Sequence, residues 1–249
     1  MNKKGKKYKN APVVEALCEI FFSGSKWDGT IPGMFFDKIK QDYPIKKELD
    51  QIGVEVSISP EVQRSQVMRG ERRIQFLKPD NSQLVQIEKD LVVVNQLRPY
   101  PRFVDWKPVI DKMLKLYCDL AQPTGIKQIG IRYINRIVIP THSFKLHEYF
   151  NLYPQVPDNL GAMHGKFMMR IEIPPKHKGH QLIVTFGAAP AESPETSAEM
   201  LDFYNIFIAP QLLSLSDVER NIGEAHENIE SAFENSITQK ARDLFEEEK

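Results

Sequence analysis

Two hydrophobic rhythms alternate along this chain, one with a period of two and one near 3.6, and they divide it into strands and helices. From Pro12 the run VVEALCEIFF is dense in β-branched and aromatic residues, which predicts a strand to Phe22. Gly24, Asp28 and Gly29 break it. Thr30 ahead of Ile31 and Pro32 has the form of a helix start, and Ile31, Phe35, Ile39 and Tyr43 recur at helical spacing until Pro44. Val54, Val56 and Ile58 share one face of a further short strand, after which comes a polar stretch rich in Arg and Gln. Ile74 and Phe76 open another strand, a turn at Pro79-Asp80-Asn81-Ser82 returns QLVQIE antiparallel to it, and a second turn at Lys89-Asp90 leads into LVVVNQL. The near-continuous apolarity of that last run predicts a central strand.

Two prolines keep Arg98 to Arg102 extended, and a long amphipathic helix follows from Phe103 to Leu120, with Trp106, Ile110, Met113, Leu114 and Tyr117 on one stripe. Pro123 and Gly125 end it. The strand IKQIGIRYINRIVIP, Ile126 to Pro140, comes next, its apolar rhythm interrupted by Arg132, Asn135 and Arg136. A short helix is expected near Leu146 to Phe150, then a hairpin of FMMRIEI and QLIVTF with Phe167, Met169, Ile171 and Ile173 on one face. The stretch AAPAESPETSAEM reads as a loop turning into a helix at about Ser197, the first of two that close the chain. In the last and longer one, Ser216-Asp217-Val218-Glu219 has the form of a capping box, and Val218, Ile222, Ala225, Ile229, Ala232, Phe233 and Ile237 make one apolar stripe. That stripe can lie on the sheet, pair with a second copy in a homodimer, or accept a partner helix; packing within the chain is the default.

These elements predict an α+β protein, an antiparallel sheet with long helices on one face. Element order further points to two strand-helix-strand-strand units: after a flexible basic arm at residues 1–10, 11–122 form the first α+β unit and 123–249 the second, packed with it and ending in a long helix. At 249 residues the chain is long enough for an ample core without staples. Lys plus Arg number 33 and Asp plus Glu 33, so the formal net charge is zero, which argues against a general binder of nucleic acid or anionic membrane. Cys18 and Cys118 are the only cysteines and read as free thiols, as in a reducing cytoplasm. No run approaches the ~18 apolar residues of a membrane span.

Candidate chemistry is sparse. His142 with His147, and His177 with His180, lack Cys or carboxylate neighbours at ligand spacing, so no metal site and no cofactor is expected. No phosphate-cradling glycine loop, nucleophile elbow or restriction-type carboxylate-lysine pair is present. Arg220 followed six positions later by His226 resembles the catalytic motif of the HEPN ribonucleases, which implies RNA cleavage. Those domains are all-helical, however, and positions six apart lie about 120° out of alignment on a straight helix. What remains is the polar set embedded in strands: Glu15, Asn95, Arg132, Asn135, Arg136, Arg170 and Glu172. Arg132 and Arg136 share a strand face, as do Arg170 and Glu172. Two readings stay open, a cross-strand ion-pair lattice in which Arg132 or Arg136 meets Glu172, or an anion-binding face.

The chain resembles a large uncharacterised family of sporadically distributed bacterial proteins. The likeness is carried by Tyr8-x-Asn10-Ala11-Pro12-Val13-Val14-Glu15-Ala16, the strands from Gln86 to Leu97 with Asn95, Trp106, Arg132-Tyr133-Ile134-Asn135-Arg136-Ile137, and the closing His226 to Phe233 helix with Ile237-Thr238. It covers nearly the whole chain. It implies a bacterial, cytoplasmic protein of patchy occurrence, as mobile accessory genes are, and brings no activity with it. Arg220 is not part of the pattern. The expectation is therefore a non-enzymatic binding or regulatory protein that engages a protein partner or a small ligand in a defence or toxin-antitoxin-like system. The alternative is a ribonuclease using Arg220 and His226.

Overall fold

A computed structural model of the protein describes residues 6–49, 52–58, 63–69, 72–157, 159, 166–174 and 177–247. It is a mixed structure of helices and strands dominated by one large antiparallel sheet. The first strand, β1 (Val13–Ser23), leads into α1 (Ile31–Ile39) and β2 (Ile45–Leu49); β3 (Ile52–Ile58) and β4 (Gln63–Arg69) form a separate two-stranded sheet. Then come β5 (Arg73–Leu77), β6 (Gln83–Glu88), β7 (Leu91–Leu97), α2 (Phe103–Ala121) and β8 (Gly125–Ile139). After these follow α3 (Leu146–Tyr149), β9 (Met168–Ile173), β10 (His180–Ala189), β11 (Ser197–Leu213), α4 (Leu215–Ser236) and α5 (Gln239–Asp243). Nine strands pair in the order β2-β5-β6-β7-β1-β8-β11-β10-β9, every pair antiparallel.

The period-two pattern of β1 explains its central place. Val13, Ala16, Cys18, Ile20 and Phe22 are buried on one side, while Leu17, Glu19 and Phe21 are half-buried on the other. Tyr117 of α2 stacks on Phe22 with ring centroids 4.5 Å apart and donates a hydrogen bond to the Glu88 carbonyl at 3.0 Å. The expected α2 stripe, Trp106, Ile110, Met113, Leu114 and Tyr117, is buried as a set. Phe35 and Phe36 of α1 both stack against Phe76. Val218, Ile222, Ala225 and Ile229 of α4 are buried where that helix packs on β8 and β11. Each such fully buried aliphatic side chain contributes roughly 1.5–3 kcal/mol by leaving water. These four residues of the α4 stripe pack within the chain, as the default reading expects.

Four expectations need correcting. The segment from Ser197 is not a helix but the 17-residue strand β11, inserted between β8 and β10. Its alternation of Leu201, Phe203, Asn205 and Phe207 (buried) with Met200, Tyr204 and Ile206 (half-buried) is a strand rhythm that outweighs the helix-start look of the residues before it. The Arg- and Gln-rich stretch contains β4, paired with β3, whose side chains at Val54, Val56 and Ile58 lie outside the description. The last helix begins earlier than the Ser216 box implies, with Ser214 as its flanking residue; Ser214 Oγ donates to Asp217 Oδ2 at 2.8 Å. Finally, residues 6–10 are not free: Lys6 pairs with Glu247 (2.7 Å), Lys9 with Glu246 (2.9 Å), and Tyr8 wedges between Phe233 and Phe245.

Both cysteines are free thiols, Cys18 buried and Cys118 half-buried. Among the described residues no helix is long and apolar enough to cross a membrane.

Candidate functional site

Paired residues on neighbouring strands point to the same side of a sheet, so register alone assembles the polar set. Asn95, Leu17, Arg132, Tyr204, Ile183 and Glu172 stand in one row across β7, β1, β8, β11, β10 and β9. Two positions along, Leu97, Glu15, Ile134, Asp202, Thr185 and Arg170 form the adjacent row on the same six strands. Five of the seven expected site residues, Glu15, Asn95, Arg132, Arg170 and Glu172, thus lie side by side on one face. Arg136 shares that face one row further on, opposite Met200. Asn135 does not: it is buried on the other side, where its amide donates to the Leu201 carbonyl at 3.0 Å. Its amide is engaged with backbone carbonyls of β8 and β11.

The side chains on this face hold one another. Arg132 forks onto Asp202, its Nε donating to Oδ1 at 2.9 Å and its Nη2 to Oδ2 at 2.5 Å, and that carboxylate raises the guanidinium's pKa. The arginine side chain is 41% exposed and the aspartate 11%, so the pair is open on one side only. Tyr204 reaches across Gly130 to donate to Glu19 Oε2 at 2.7 Å. A Cβ at Gly130 would lie 2.8 Å from the Tyr204 ring, so the glycine is what lets the tyrosine lie flat over β8. From the other edge a chain of amides runs inward: Gln75 Nε2 donates to Gln86 Oε1 (3.0 Å), Gln86 Nε2 to Asn95 Oδ1 (2.9 Å), and Asn95 Nδ2 to Glu15 Oε1 (2.6 Å). At the far edge Arg170 donates to Glu172 Oε1 (2.6 Å), and Gln181 to its Oε2 (2.5 Å).

Ion pairs do cross-link this face, with different partners from those expected. Arg132 meets Asp202 and Arg136 meets Glu192 (2.7 Å) and the Pro190 carbonyl; neither meets Glu172. The reason is topological. Strand β11 separates β8 from β10 and β9, and a carboxylate on the adjacent strand is nearer than one three strands away. Asp202 and Tyr204 were missed because the alternation MLDFYNIFI was taken as helix, although its period-two pattern was there to read; Glu19 lay in a strand read correctly, but its partner Tyr204 did not.

The two residues of the ribonuclease reading have separate partners within the chain. Arg220 is exposed and pairs with Asp217 of its own helix turn. His226 is stacked on Phe103 at 3.9 Å, and its Nδ1 lies 3.1 Å from the Tyr133 hydroxyl, which in turn lies 2.7 Å from that of Tyr100. Desolvation there lowers its pKa to about 4, which suits a packed neutral imidazole and not a base working near neutrality.

A second histidine, His180, is saturated. Its Nδ1 lies 2.8 Å from the Asn205 amide nitrogen and so accepts, leaving Nε2 to donate to Glu224 at 3.2 Å; burial lowers its pKa. Among the described residues no group of three or more His, Cys, Asp and Glu is placed to hold a metal ion. His177, 3.6 Å from Glu227, closes the β9–β10 turn onto α4.

A comparison of the sequence with protein-family models finds no match, and neither does a comparison with curated proteins. Geometry alone defines the site, a broad polar sheet face.

Proposed function

We propose that the chain is a binding protein whose working surface is the sheet face bearing Arg132, Tyr204, Glu19 and Asp202, and whose partner is another protein. The observation that carries this reading is the gathering of Glu15, Asn95, Arg132, Arg170 and Glu172 into two adjacent rows across six strands. At about 4.8 Å per strand that surface is roughly 24 Å wide, the scale of a macromolecular contact and too wide for a small ligand to span. Two clefts elsewhere on the chain are lined by other residues. Each arginine in the two rows is neutralised by a carboxylate, so the face lacks the excess positive charge that phosphate backbones require. Half-buried Leu17, Phe21, Ile134, Ile183 and Ile206 between the polar groups supply apolar area, the mixture common at protein interfaces.

In this reading the long helices α2 and α4 cover the opposite face, which leaves this one to the partner. The order of strands supports it: outward from the middle run β1-β7-β6-β5 on one side and β8-β11-β10-β9 on the other. We take the two halves as copies of one strand-helix-strands-helix unit joined at β1 and β8, so that α2 and α4 occupy equivalent places. The defence or toxin-antitoxin-like setting rests on the family resemblance alone.

Affinity purification from the native host tests the assignment. The expected result is a protein partner at near-stoichiometric yield. Recovery of a small molecule instead, released on denaturation and identified by mass spectrometry, would refute the protein-partner reading. RNA cleavage by the purified protein that vanishes in His226→Ala would restore the enzyme.

A further inference from the structure

Away from that face, the ends of β10 and β11 and the loop after β8 line an open cleft of about 220 Å³ whose walls include His142, Phe144, Lys166, Ala188, Ala189 and Glu199. Glu199 stands in register with Ile137 and Ala188, one position off the rows that carry Arg132, and so points to the opposite side of the sheet. It is 4% exposed, its Oε2 is fully buried, and no hydrogen bond or ion pair reaches the carboxyl among the described residues. A buried acid without a partner is costly, and proteins that retain one do so where something else completes it.

We propose that this cleft binds a small primary monoamine whose ammonium pairs with Glu199. A metal ion is a poor fit, since among the described residues one carboxylate is the only anionic group in the lining. The alanine walls and Phe144 suit a short alkyl chain. The volume is below the roughly 300–1,000 Å³ of pockets that take drug-sized ligands, which limits the guest to a few carbons. The other titratable side chains lining the cleft, His142 and Lys166, are both exposed, and Lys166 disfavours a second positive charge on the guest. Burial raises the Glu199 pKa to about 7, so at neutral pH the site is part protonated. An arriving ammonium would ionise it and expel that proton.

Calorimetric titration of the full chain with n-butylammonium at pH 7, in buffers of different ionisation enthalpy, tests this. Saturable binding is expected, at least ten-fold tighter than that of 1-butanol, with release of about half a proton per site. In Glu199→Gln the affinity should fall at least ten-fold and the proton release vanish. In Ala191→Phe, which fills the wall from an exposed loop, binding should weaken while the melting temperature in buffer stays unchanged. Absence of saturable binding to the wild type, equal affinity for 1-butanol, or unchanged binding in a folded Glu199→Gln would overturn the proposal. If Glu199→Gln does not fold, unchanged affinity in Ala191→Phe does the same.

Discussion

Single side chains decide how this sheet face is held, and Gly130 is the sharpest case. Because Tyr204 lies over it at a distance that admits no Cβ, Gly130→Ala should push the ring off Glu19. A loss of about 1–3 kcal/mol is expected by analogy with overpacked sites, measurable by urea denaturation. Two buried titrating groups make stability depend on pH in opposite senses. His226 has a pKa of about 4 in the fold against an ordinary 6.5, so the unfolded chain takes up its proton first and stability falls as pH drops from about 6.5 towards 4. Glu199, at about 7 against 4.5, holds its proton longer in the fold. Its contribution is full below about pH 4.5 and is lost as pH rises through about 7. Melting curves across pH 4–8 should therefore show the acid limb flattened in His226→Gln and the neutral limb flattened in Glu199→Gln; unchanged limbs in the two variants would contradict these assignments.

Among the elements, α4 carries the clearest energetic statement. Ile222 is fully buried against the sheet, so Ile222→Ala should destabilise the chain by about 2–5 kcal/mol without altering its mass by light scattering. A change of oligomeric state would mean that the stripe serves a subunit contact after all. Legibility in the sequence followed the strength of each element's own pattern. Helices α1 and α2 were readable because their apolar residues recur at helical spacing between clear breakers, and β1, β7 and β8 because β-branched residues crowd them. Strand β11 was less so, since Ser-Pro-Glu-Thr-Ser at its start looks like a helix start and masks the period-two alternation behind it. β2 was missed because all five residues of IKKEL are exposed and offer no apolar rhythm. The candidate site inherited these errors: its arginines were visible, whereas Asp202 and Tyr204, which orient Arg132, sat in the misread segment.

For the whole molecule, the central inference is that six of the nine strands present one mixed, internally neutralised face to a protein partner. Thr185 lies in the row between Asp202 and Arg170, and its side chain is half-buried, so Thr185→Arg adds bulk and charge to the face without removing a bond. Arg220→Ala alters an exposed residue of α4 and serves as the comparison. The decisive measurement is quantitative mass spectrometry of proteins co-purified from the native host with wild type, Thr185→Arg and Arg220→Ala, each verified as folded by its melting temperature. The account expects the partner's yield to fall at least ten-fold with Thr185→Arg and to stay level with Arg220→Ala. A partner retained by Thr185→Arg and lost from Arg220→Ala would place the interface on α4 and contradict it.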